Sequence, residues 1–158
     1  MIDVHFIQAL ERKLDKVTFV RVDSDSVDKL IQKEEERESV LSEDQVKSLE
    51  ELFKGCVNEP TATLKMEALS PSEMPIVITR PEFMRRMQEM SAMQGMAMNM
   101  GDMYNVVVNT NHPLMNSILE NNDAEKANYL YAAARLQNGM LKGADMTAFI
   151  KKSIDMIK

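Results

Sequence analysis

From His5 to Leu14 the stretch HFIQALERKL sets Phe6, Leu10 and Leu14 four apart, the spacing of one helical face. The β-branched run VTFVRV, Val17 to Val22, then predicts a strand. DSDSVDKLIQK supplies Asp and Ser caps for a short helix carrying Val27, Leu30 and Ile31. A helix-strand-helix unit needs neighbouring strands and a second layer to bury both its faces. The chain therefore reads as a piece of a longer protein whose preceding part supplies them. KEEERES, Lys33 to Ser39, contains no apolar residue and predicts a solvated linker, which divides residues 1–37 from residues 38–158.

The second region starts with a helix signal. In LSEDQV, Ser42 is placed to cap the helix, Gln45 to reach back to it, and Leu41 with Val46 to close an apolar staple. Val46, Leu49, Leu52 and Phe53 then form a core face that ends near Gly55. TATLKMEAL and MPIVIT are strand candidates separated by the turn SPSE, and YNVVVN, Tyr104 to Asn109, is a third. NHPLMNSILE predicts a short helix with Pro113 near its start. The run AEKANYLYAAARLQNGML, capped by Asn122 or Asp123, is apolar on two sides: Ala127, Leu130, Tyr131 and Ala134 on one, Tyr129, Ala133, Leu136 and Met140 on the other. After Gly143, Met146, Phe149, Ile150, Ser153, Ile154 and Ile157 recur at helical spacing to the terminus. Two adjacent helices with spare apolar faces predict self-association, since a symmetric pair makes a four-helix bundle. The expected fold class is α+β: a small three-stranded sheet with packed helices and a C-terminal helical pair that forms the dimer interface.

Between the second and third strands, Pro81 to Met103 (PEFMRRMQEMSAMQGMAMNMGDM) holds eight of the chain's 15 methionines. Pro81 predicts the helix start, and Gly95 with Gly101 brackets a methionine-bearing loop. Residues three apart step back about 60° round a helix, so Phe83, Met84, Met87 and Met90 share an arc that Met93 and Met96 leave. One flat core cannot bury them all. Methionine fills irregular cores and also covers surfaces that accept varied partners, so core filler and a partner-binding apolar surface are both open on these residues. Thioethers also suit copper(I), but MAMNM has no His or Cys nearby to complete a site.

Composition narrows the function. The 158 residues are 44% hydrophobic and 28% charged, and no apolar run approaches the ~18 residues a membrane helix needs. The N-terminus has no signal-peptide pattern, which predicts a cytoplasmic protein. A net charge of −6 argues against nucleic acid, because phosphate binding needs clustered Lys and Arg, and Arg80, Arg85 and Arg86 are only a small basic island. The single cysteine, Cys56, excludes an internal disulfide and a Cys-rich zinc site and reads as a small buried hydrophobe. His5 and His112 have no acid or nucleophile set in a recognisable motif, and His112 beside Pro113 reads as a helix cap. No glycine-rich phosphate loop occurs, so no ATP binding and no enzyme activity are expected of this chain.

VTFVRVDSDSVDKLI, MPIVITRPEFMRRMQEMSAMQG, VVVNTNHPL and AFIKKSIDMI together resemble the C-terminal region of the heat shock protein 90 chaperones of the bacterial, high-temperature protein G type. The resemblance covers nearly the whole chain. It implies that residues 1–37 are the tail of a middle domain and residues 38–158 a C-terminal dimerisation domain, with ATP and Mg confined to a domain upstream. It further implies a homodimer through the last two helices, on Tyr129, Ala133, Leu136, Met140, Met146, Phe149, Ile150, Ile154 and Ile157. Unfolded or partly folded clients would meet the amphipathic helix at Phe83, Met84, Met87, Met90 and Met93. The chain ends IDMIK, unlike the acidic peptide by which eukaryotic members recruit helical-repeat co-chaperones, so that recruitment is not expected. The alternative is a purely structural dimerisation module with methionines as core. A methionine-lined signal-sequence domain shares the apolar adaptability, but its basic charge is missing.

Overall fold

A computed structural model describes residues 4–19, 38–93 and 103–157. Helix α1 spans Val4–Lys13, and its chain runs on as far as Phe19. The expected strand from Val17 to Val22 is not formed over residues 17–19. The reason lies in Phe19: its N–H donates to Glu11 Oε1 at 2.8 Å and its C=O accepts from Arg86 at 2.6 Å, so side chains take the bonds a neighbouring strand would have made. Residues 20–22 and the expected helix through Val27, Leu30 and Ile31 lie outside the described residues.

Helix α2 spans Glu43–Cys56 and opens as its sequence dictates. Ser42 Oγ accepts from the Gln45 N–H at 3.3 Å, and Gln45 Oε1 accepts from the Ser42 N–H at 2.9 Å, so two otherwise orphaned donors are satisfied reciprocally. Leu41, Leu49 and Phe53 are buried, and Val46 and Leu52 pack at the margin of the same cluster.

Strands β1 (Ala62–Glu67), β2 (Ile76–Thr79) and β3 (Tyr104–Asn109) form one sheet in the order β1-β3-β2. β3 runs parallel to β1, with Ala62 opposite Tyr104, and antiparallel to β2, with Ile76 opposite Val108. Its central place explains its unbroken apolar run: Val106 and Val108 are buried with the main core, while Val107, alternating to the opposite face, is buried as well.

Helix α3 spans Glu82–Met93, one residue later than expected, with Pro81 immediately ahead of it. Helices α4 (Pro113–Asn121), α5 (Ala124–Gln137) and α6 (Gly143–Ile157) complete the chain. α2 and α5 lie against each other and against the sheet, with α4 beside both. The core is built from Leu49 and Phe53 of α2, Ile76 and Ile78 of β2, Val106 and Val108 of β3, Met115 and Ile118 of α4, and Ala127, Tyr131 and Ala134 of α5. Ala127, Tyr131 and Ala134, with Leu130 at the margin, are one of the two apolar sides that the spacing gives α5.

Candidate functional site

Among the described residues, α3 and α6 each carry large apolar side chains that this core leaves exposed. On α3, Phe83 and Met87, four apart and therefore on one face, are 70% and 41% exposed, and Met84 and Met90 are half-buried on its flanks. The side chain of Met93, and Met96 with the residues up to 102 where the sequence predicts a methionine-bearing loop, lie outside the described residues. Arg86 holds this helix to α1. Its guanidinium donates to both carboxylate oxygens of Glu11 at 3.0 Å and to the Phe19 carbonyl. The guanidinium and the Phe19 N–H beside it draw the Glu11 carboxyl below its ordinary pKa.

The second surface is α6, which has no buried residue. Ile150, Ile154 and Ile157 form one stripe, exposed at 49%, 53% and 85%. Phe149 and Ser153 instead turn toward α5: the Phe149 ring stacks on Tyr129 with centroids 5.0 Å apart, and the Tyr129 and Ser153 hydroxyls are 3.1 Å apart. Lys152 reaches Glu125 at 3.0 Å on the same seam. Tyr129 and Phe149 thus meet each other within one chain. Met140 packs against the core cluster, Leu136 is exposed, and Ala133 and Met146 are half-buried.

A cleft of about 430 Å³ lies between α5 and α6. Tyr131 donates its hydroxyl hydrogen to Glu59 at 2.7 Å, so the Tyr104 hydroxyl at 2.9 Å must be the donor to Tyr131. Burial, reinforced by these two bonds, pushes the Tyr131 hydroxyl far above its ordinary pKa. Glu59 also pairs with Arg135 at 3.3 Å, and Arg135 lies 3.8 Å from Asp145 at the start of α6. Cys56 on the wall of this cleft is only half-buried, and burial raises its thiol pKa, which makes it a poor nucleophile. His112 caps α4, its Nδ1 accepting from the Leu114 N–H at 3.2 Å, and burial lowers its pKa. These groups hold the fold together; no nucleophile, base and orienting group converge in them. Among the described residues no group of three or more His, Cys, Asp or Glu side chains is placed to hold a metal, and no helix is long and apolar enough to cross a membrane.

The polar residues after β3 escaped the sequence reading. Asn109 is fully buried: its Oδ1 accepts from the N–H groups of Leu69 and Asn111, and its Nδ2 donates to the Ser70 carbonyl at 2.7 Å. Asn111 bonds the chain just before α2. A polar run, NTNH, directly after three buried valines was the available signal.

No family model matches the chain. Curated relatives do. It is 40% identical over 124 residues to the chaperone protein HtpG of Porphyromonas gingivalis, a match covering 75% of this chain and 18% of that protein. The HtpG proteins of Bacteroides fragilis and Bacteroides thetaiotaomicron are 38% and 35% identical over 130 and 129 residues, each match covering 78% of this chain and 19% of the relative. The chain belongs to the HtpG chaperone family. It spans less than one-fifth of the length of the HtpG proteins it matches. The resemblance drawn from four short sequence segments and the relatives found over three-quarters of the chain therefore agree. Both apolar surfaces described above lie on helices that flank the core and contribute little to it.

Proposed function

We propose that this chain is the dimerising and client-contacting part of an ATP-dependent chaperone that assists protein folding. Residues 1–37 are the tail of a middle domain and residues 38–158 the C-terminal dimerisation domain. The observation that carries the reading is the stripe Ile150, Ile154 and Ile157, three large apolar side chains in register that the chain's own core leaves uncovered. Burying such a stripe against its symmetry mate removes apolar surface from both copies at once, and the adjoining helix α5 completes a four-helix arrangement. Tyr129, Ala133, Leu136, Met140, Met146 and Phe149 border that interface.

Phe83, Met84, Met87, Met90 and Met93 form the client surface. Unbranched thioether side chains adapt to clients of different shape, and an aromatic ring at 70% exposure anchors them. The ATP and Mg of the whole chaperone belong to a domain outside this chain, and the protein works in the cytoplasm. Exposure of Met87 weighs against the alternative in which every methionine is core filler.

Sedimentation velocity across a dilution series tests the dimer, with a reversible shift to monomer expected only on dilution. A monomer at all concentrations overturns it. Titration with a permanently unfolded protein tests the client surface on the same material.

A further inference from the structure

Residues 38–40 are attached to the sheet in an unusual way. Asn111 is 8% exposed, and its side-chain amide is spent entirely on this segment: Oδ1 accepts from the Val40 N–H at 2.8 Å and Nδ2 donates to the Glu38 carbonyl at 3.2 Å. The amide thereby offers the backbone the same donor and acceptor that a neighbouring strand would offer. Beside it runs a chain of hydroxyl bonds. The Leu41 N–H donates to Ser39 Oγ at 3.2 Å, Ser39 Oγ donates to Thr110 Oγ1 at 3.0 Å, and Thr110 Oγ1 donates to the Glu67 carbonyl at 3.3 Å. Two residues after β3 thus tie the incoming chain to the ends of β1 and β3.

Apolar burial contributes almost nothing here. Glu38 and Ser39 are exposed and Val40 is 68% exposed, whereas Leu41, the next residue, is 5% exposed and belongs to the core. Hydrogen bonds of this kind exchange with water at small net cost, and their loss leaves no cavity behind. The attachment can open while everything from Leu41 onward stays folded.

We propose that Thr110 and Asn111 are a polar latch that fixes the direction in which the chain enters the domain at residues 38–40, and that opens without unfolding the sheet. Closed, the latch ties residues 38–40 to the ends of β1 and β3. Open, it frees them. The proposal rests on reading residues 38–158 as one domain.

Hydrogen exchange on the intact chain tests it. The Val40 amide should exchange through a local opening, faster than the Val106 and Val108 amides by at least about tenfold and with little dependence on added urea. Asn111→Ala should speed Val40 exchange at least about fivefold and cleavage after Glu38 by a glutamate-specific protease to a similar degree, with the β3 amides unchanged. Ser39→Ala, which alters only an exposed position, should speed Leu41 exchange and leaves the fold out of question if Asn111→Ala is poorly folded. Val40 exchanging in step with Val106 in the unaltered chain would overturn the latch, as would unchanged Val40 and Leu41 exchange in both variants. A chain beginning at residue 38 that does not fold would instead overturn the domain reading.

Discussion

Single residues show how a polar group earns a buried place. Asn109 is fully buried because its amide satisfies the N–H groups of Leu69 and Asn111 and donates to the Ser70 carbonyl, which also accepts from the Glu73 N–H. Asn109→Ala removes all three bonds and strands the N–H groups of Leu69 and Asn111, which should destabilise the chain by about 2–4 kcal/mol in urea unfolding; a change under ~0.5 kcal/mol would mean water replaces the amide freely. Glu11 presents the opposite situation, a carboxylate at the surface held by Arg86 and the Phe19 N–H. Its folded-state pKa lies below the ordinary value, so the contact contributes fully above the ordinary carboxylate range and is lost as pH falls through the lowered value. Carboxyl titration by NMR should show Glu11 protonating at lower pH than an exposed glutamate, and Arg86→Gln should return it upward. An unmoved titration in that variant would assign the shift to another neighbour.

Elements divide by how local their causes are. The capping box at Ser42 and Gln45, the core face of α2 and the valine run of β3 were legible because each depends on neighbours within a few positions. The central position of β3, the pairing of Tyr131 with Glu59 and the latch at Thr110 and Asn111 were not, since each joins groups between 26 and 73 residues apart, beyond any period in the sequence. The failed strand at residues 17–19 belongs to the same class: β-branched side chains favour extended backbone, but a strand exists only where another strand supplies its bonds. Within α3 the periodicity identified the shared arc but not which way it faces. With Met87 at 41% exposure and Met90 half-buried, changing both to Ser should cost about 1 kcal/mol or less in urea unfolding and should weaken binding of an unfolded protein severalfold. If instead the pair were core, losses of roughly 2–5 kcal/mol per site would follow, with client binding falling only as the fold does.

At the scale of the whole molecule, the division between a closed core and uncovered helices decides how it assembles. The core draws on α2, the sheet, α4 and one face of α5, whereas α6 rests on α5 through the seam formed by Tyr129, Phe149, Ser153 and Lys152 and through the Arg135–Asp145 contact. The outer stripe of α6 therefore does no work for the fold of one copy, and an isolated apolar stripe of this kind marks an interaction surface. A net charge of −6 opposes association of two copies at long range, so the apolar contact must supply the favourable free energy at short range. Ile154, at 53% exposure in the middle of the stripe, is the position where these arguments meet. In Ile154→Asp a carboxylate faces water in the monomer at little cost, yet dimerisation would bury it against a second copy without a partner, at a cost of several kcal/mol. The variant should sediment as a monomer at concentrations where the unaltered chain is dimeric, while circular dichroism and urea unfolding at low concentration remain those of the unaltered monomer. A dimer that survives the substitution would place the interface on another face, and a variant that loses its fold would make α6 part of the core rather than its cover.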